Sequence, residues 1–230
     1  MRLGLSRLIR IFFQSLFLQT SWSFMSMQSM GFLSGVLVGV DGAKHAGIIS
    51  ARKGLFNTHP YMVSYIVGAT VRAYDEGTAS AEEVNRFLSV AQTSFASAGD
   101  LLFWRTLRPA LLLLSVILGV RYGLIGPLFF LVVYNGFHLY HRIQGIRDGY
   151  KMGWDVIYVL KTKRFTLTRQ VFEVVGTLLC GLLLSLGSPE LRYILVIPLT
   201  ALFVIMLIRR YSAVMIIVSA LLVLLIIGMV

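Results

Sequence analysis

The chain has 230 residues and a formal net charge of +11, yet only 13% of it is charged and 57% is hydrophobic. A soluble domain is about a quarter charged, and a mean hydropathy of +0.80 leaves too few polar residues for a water-facing surface. The composition therefore describes an integral membrane protein with little room for a separate soluble catalytic domain. Its Lys and Arg residues punctuate the ends of apolar runs instead of pooling on one polar surface, the pattern of membrane topology signals, so nucleic acid is not an expected partner.

In chain order, residues 3–18 read as an amphipathic helix within an N-terminal segment 1–20. Arg7, Arg10 and Gln14 share one face at helical spacing, and Leu8, Ile9, Phe12, Phe13 and Leu16 fill the rest. Such a helix suits the membrane interface on the cytoplasmic side or the packed bundle. No signal-peptide cleavage pattern follows it. Gly31, Gly35 and Gly39 stand four apart, a face for close helix packing. Residues 61–74 are apolar for about fourteen positions, short of a bilayer span. Residues 75–86 hold Asp75, Glu76, Glu82 and Glu83, four of the ten acidic residues, and read as a solvent loop with a helix start. After Pro109 comes another short apolar run. The whole of 31–125 is therefore expected to consist of broken, re-entrant or short helices. A long helix follows over 126–160, with Gly145, Gly149 and Gly153 marking a tightly packed face. Three regular transmembrane helices are expected in 171–230, at about 171–187, 191–208 and 212–230. The single Cys180 lies in an apolar run and cannot form an intrachain disulfide. The expected fold is thus an all-α, polytopic membrane protein forming one membrane domain over 1–230. Lys161, Lys163, Arg164 and Arg169, then Arg209 and Arg210, mark the inside, which sets the N-terminus in the cytoplasm and the C-terminus outside.

Three polar clusters interrupt this oily chain. Asn57, Thr58, His59 and Pro60 form either the elbow of a re-entrant hairpin lining a wet cavity, or a surface cap in which Asn57 or Thr58 starts the next helix with Pro60 in its first turn. Asp100, Trp104, Arg105 and Arg108 form the second. Asp100 is either a functional intramembrane carboxylate or an N-cap, with Trp104 stacking on a sugar ring or sitting in the interfacial aromatic belt. Asn135, with His138 and His141 beyond it, forms the third. The two histidines have no Cys or carboxylate at ligand spacing, so no metal is expected. There is no P-loop, dinucleotide fingerprint, GxSxG or HExxH, and no catalytic residue or cofactor is assigned.

The stretches SLFLQTSWSFMSMQSMGF (15–32), FNTHPYMVSYIVG (56–68), GDLLFWRTLRP (99–109), GPLFFLVVYN (126–135) and GIRDGYKMGWDVI (145–157), in this order, resemble the IID membrane subunit of mannose/fructose/sorbose-family sugar phosphotransferase systems. The resemblance covers most of 15–157. It implies a chain of the bacterial cytoplasmic membrane that is not catalytic alone. Such a chain pairs with a IIC subunit in the bilayer, in a trimer of IIC–IID pairs, to carry a hexose that cytoplasmic IIA and IIB subunits phosphorylate. It further implies Asn57, His59, Asp100 and Trp104 on the sugar route, with Thr58, Arg105, Arg108 and Asn135 at a gate or partner contact. The sequence departs from the family pattern in the proline-free AQTSFASAGD, in Leu101 and Arg105, and in the short GSPELR where family members commonly carry a polar insert. Those departures motivate the alternative of a non-transporting scaffold or regulator derived from the family.

Overall fold

Apolar and small residues recur at helical spacing along the chain, and its described regular structure is helical, with no β-structure beyond two isolated bridges, Ser23–Met27 and Met27–Phe56. The structure, a computed structural model, describes residues 3–51, 54–77, 79–187, 201–206 and scattered positions from 208 to 222. The apolar segments expected at 191–208 and 212–230 lie largely outside the described residues. The chain clusters into two compact units, Met1–Asp100 with Gly136–Thr162, and Leu101–Asn135 with Lys163–Val230.

The first unit is built around helix α4. Helix α1 (Leu5–Leu16) has three faces: Leu8, Ile11 and Ser15 are buried, Leu5, Ile9, Phe13 and Leu16 are exposed, and a polar strip runs between them. Arg7 does not stay on that strip. It turns inward to donate to the carbonyl of Gly39 and to Asp75 Oδ2, the latter at 2.7 Å, because this is where the ends of neighbouring helices leave acceptors. Helix α2 (Ser29–Leu37) sets Gly35 against Val67, and just beyond its end Gly39 lies against Val71 and Ile11. A short helix, α3 (His45–Ala51), precedes the loop to α4.

Helix α4 (Val63–Glu76) is buried on every side from Val63 to Val71, which explains why its sequence is apolar without alternation. It crosses helix α7 (Ile125–Met152) at glycine: a Cβ on Gly149 would meet the Tyr65 carbonyl, and a Cβ on Gly68 would lie 2.5 Å from the Ile146 carbonyl. Gly145 sits on the same seam against Tyr65, as its spacing from Gly149 predicts. Gly153 instead ends the helix, with φ +61°, and a 3-10 segment Gly153–Lys161 follows.

Helix α5 (Ala81–Gly99) begins at a capping box: Ser80 Oγ accepts from the Glu83 N–H at 3.2 Å, and Glu83 Oε2 accepts from the Ser80 N–H at 2.7 Å. The sequence reading expects short or broken helices through 31–125, with Asp100 as a possible helix start, and over Ala81–Tyr122 the structure corrects this. The helix is continuous from Ala81 to Tyr122, through a π-helical segment Asp100–Leu107 into α6 (Arg108–Tyr122). Pro109 has no N–H and its ring crowds the carbonyl one turn back. Wider winding ahead of it absorbs that mismatch without ending the helix.

In the second unit, α6 turns at Gly123 into the start of α7, where Gly126 packs on Gly119 and the Ser115 carbonyl. Helix α8 (Lys163–Gly187) brings Gly176 against Ala110. Leu112, Val116, Val120, Leu128, Val171 and Leu178 remain exposed on this unit. Two described helical stretches, Ala81–Tyr122 and Lys163–Leu183, are long and apolar enough to cross a membrane.

Candidate functional site

The first polar cluster lies wholly in the first unit. Phe56 anchors it: its ring is buried and stacked on Phe32 with centroids 4.1 Å apart, and its carbonyl accepts from the Gln28 N–H at 2.8 Å. Beyond Phe56 the backbone has no regular structure, and side-chain amides take the place of a ladder. Gln92 Oε1 accepts from the Asn57 N–H at 3.0 Å, and Gln28 Oε1 accepts from the Thr58 N–H at 3.0 Å. Thr58 Oγ1 donates to the Gln92 carbonyl at 3.0 Å. An irregular segment in an apolar protein is tolerable only when its backbone groups find partners inside the protein, and these bonds supply them. Pro60 contributes no N–H that would need one.

His59 is 1% exposed and lies on Gly99. A Cβ at Gly99 would overlap His59 Cβ and Cγ, so glycine is what allows α5 to lie this close to the loop. The His59 carbonyl accepts from Met62 N–H at 2.9 Å and Val63 N–H at 3.2 Å, closing the turn into α4. The ring contacts Tyr61 edge-on, and Tyr61 stacks on His138 with centroids 4.4 Å apart. One turn further along α7, the Arg142 guanidinium stands over the Tyr61 ring at 5.4 Å. Arg142 is 4% exposed; it donates to the Ser15 carbonyl and, at 3.1 Å, to Ser15 Oγ. Tyr65 Oη and His141 Nδ1 are 3.2 Å apart on the same helix pair. The result is a buried polar seam, running from α1 across α7 to the loop, inside an otherwise apolar unit. The seam holds hydroxyls, imidazoles and one buried guanidinium, set against one another by stacking and hydrogen bonds.

The family model for the "PTS system mannose/fructose/sorbose family IID component" matches residues 2–186. The chain belongs to this IID family. Among curated IID proteins it is 26% identical over 193 residues to the fructose permease IID component of Bacillus subtilis (strain 168), covering 80% of this chain and 70% of the relative. It is 28% identical over 159 residues to the mannose-specific EIID component of Escherichia coli (strain K12), covering 64% of this chain and 56% of that one. It is 30% identical over 135 residues to the sorbose-specific EIID component of Lacticaseibacillus casei, covering 56% of this chain and 48% of that one. The IID fold is shared with a chain in the cryo-EM structure of the mannose transporter ManYZ in complex with microcin E492: TM-score 0.61 at 21% identity, over 96% of this chain and 95% of that one. A solved structure described as a membrane protein matches with TM-score 0.70 at 20% identity, over 97% and 96% of the two chains.

Within this IID chain the expected site residues divide between the two units. Asn57, Thr58, His59 and Asp100 stand in the first; Trp104, Arg105, Arg108 and Asn135 stand in the second. Asn57 is exposed, Thr58 and His59 are buried, and half-buried Asp100 directly follows the glycine that His59 covers. Neither capping role predicted from sequence occurs. Asp100 has helical backbone angles, φ −58° and ψ −43°, inside the continuous helix, so it cannot cap a helix start. The turn into α4 is closed by the His59 carbonyl, while Asn57 and Thr58 spend their backbone N–H groups on the two glutamines. Trp104 is 48% exposed, and Arg105, Arg108 and Asn135 are exposed as well. Asn135 Nδ2 donates to the Leu131 carbonyl one turn back at 2.6 Å, a local partner for the polar group that stood out in the apolar helix. Sequence reasoning missed Gln28, Gln92, Tyr61 and Arg142. A signal existed for Arg142, an ionisable residue in a largely apolar helix. The two glutamines carried none, since each meets a residue at least 30 positions away.

Proposed function

We propose that this IID chain works as the membrane partner of a IIC subunit, moving a hexose across the bacterial cytoplasmic membrane while IIA and IIB subunits phosphorylate it. What carries this reading is the Asn57–His59 segment: an irregular loop held by amides in an apolar chain, with the Asn57 side chain left facing outward. Family membership supplies the class of transported ligand, because the relatives bear the names mannose, fructose and sorbose. On this reading the loop is the elbow of a re-entrant segment beside the sugar route, and Asp100 lines the route one residue beyond the His59 contact. Trp104, expected on that route from the sequence, is assigned with Arg105, Arg108 and Asn135 to partner contact, because all four are exposed. The N-terminus is cytoplasmic and the C-terminus outside, as the basic segment 161–169 supports, and three IIC–IID pairs form the assembly.

The test is uptake and phosphorylation of radiolabelled mannose, fructose and sorbose by membrane vesicles containing the chain with its IIC, IIA and IIB partners. Omitting the chain is expected to abolish uptake. Asn57→Ala, which keeps the backbone N–H and its bond to Gln92, is expected to lower uptake about tenfold through one lost ligand hydrogen bond. Full uptake without the chain overturns the assignment and favours a scaffold role. Full uptake with Asn57→Ala removes the loop from the sugar route.

A further inference from the structure

The orientation of the Gln92 side chain is fixed by its partner. The Asn57 backbone N–H can only donate, so the amide atom 3.0 Å from it must be the oxygen. The Gln92 backbone carbonyl is likewise taken, by Thr58 Oγ1 at 3.0 Å. That leaves the Nε2 group, with two N–H donors, pointing away from the loop backbone. Among the described residues it has no hydrogen-bond partner, and Gln92 is half-exposed. Gln28 has its oxygen locked the same way, by the Thr58 N–H, but it is buried and holds the loop from behind. Asn57, whose backbone N–H makes this bond, has an exposed side chain. The protein has therefore oriented the Gln92 amide, at the edge of the loop, to present donors only.

We infer that Gln92 is a specificity-determining residue of this IID chain: its Nε2 donors, at the edge of the Asn57–His59 loop, read an acceptor oxygen on the sugar ring. The inference rests on the sugar-route reading of the Asn57–His59 loop. It adds that this edge selects by the position of a hydroxyl oxygen, since a buried or half-buried donor discriminates against a ligand that leaves it unpaired. Anchoring of Asn57 and recognition of sugar are then two functions of one amide, carried by different atoms.

Those atoms can be separated. Gln92→Glu keeps an oxygen for the Asn57 N–H and removes both donors. In vesicles with the partner subunits, the KM for the best-transported hexose is expected to rise about tenfold, while kcat, assembly with the partner and melting temperature stay near wild type. A monodeoxy series of that hexose identifies the oxygen: one deoxy sugar is penalised with wild type and carries no added penalty with Gln92→Glu. Asn57→Asp is the companion variant, because it leaves the backbone N–H and its Gln92 bond in place; it too raises KM. An unchanged KM for Gln92→Glu, or deoxy penalties identical in wild type and variant, overturns the inference. If Asn57→Ala impairs uptake and Gln92→Glu does not, Gln92 is only an anchor and the sugar-route reading stands. If Asn57→Ala leaves uptake intact, the reading and the inference fall together.

Discussion

Replacing Gly149 by alanine probes the crossing of α4 and α7. A Cβ there would overlap the Tyr65 carbonyl oxygen and lie 2.9 Å from Ala69 N and 3.1 Å from Gly68 Cα. All three atoms are backbone, so no side chain can swing aside and the helices must separate. Overpacking of this kind costs about 3 kcal/mol at the upper end of its range. The better helix propensity of alanine returns about 1 kcal/mol, leaving a net loss of about 2 kcal/mol. For a chain of this size that lowers Tm by roughly 4–8 °C. Gly136 supplies the control on the same helix: it is exposed and an added Cβ meets nothing within 4 Å. Gly136→Ala should therefore keep only the propensity gain and raise Tm by a few degrees, about 1 kcal/mol in stability. Both are read by thermal melting of the detergent-purified chain followed by size exclusion. If Gly149→Ala melts at or above wild type, the backbones do not approach as closely as described and the reasoning fails.

Asp75 receives Arg7 at 2.7 Å and Tyr150 Oη at 2.8 Å, joining α1, α4 and α7. Asp75→Asn is expected to lower Tm by a few degrees through the weakened charge-assisted bonds, about 1–2 kcal/mol, and an unchanged melt shows that the cluster holds nothing together. Ser80→Ala removes one half of the capping box at α5 and should cost about 1 kcal/mol, checked by the same melt; a loss several times larger would mean Ser80 does more than cap.

The parts of the fold that could be read from sequence were those in which a single periodic feature dictates geometry. Gly145 and Gly149 announced a close helix contact because only glycine, spaced by a helical turn, lets two backbones meet. The amphipathic character of the first helix was equally visible, although Arg7 turned out to face acceptors just past α2 and on α4, which a helical projection cannot reveal. Asp100 and Pro109 misled, the one read as a helix start and the other as a break; here Gly99 makes room for His59 inside a continuous helix, and π-helical winding carries the chain through the proline. The loop was legible as a polar anomaly at Asn57–Pro60. Its mode of attachment was not, since the glutamines that fix it come from the start of α2 and the middle of α5, and their identity as partners exists only after folding.

Riveting a loop by two amides has an evolutionary corollary. Neither the Gln28 nor the Gln92 side-chain amide takes part in the internal bonding of a helix, so lineage-to-lineage drift at these two positions can reshape the Asn57–His59 segment while the surrounding helices keep their register. On the sugar-route reading of the loop, divergence in ligand preference would then need few substitutions, concentrated at the rivets.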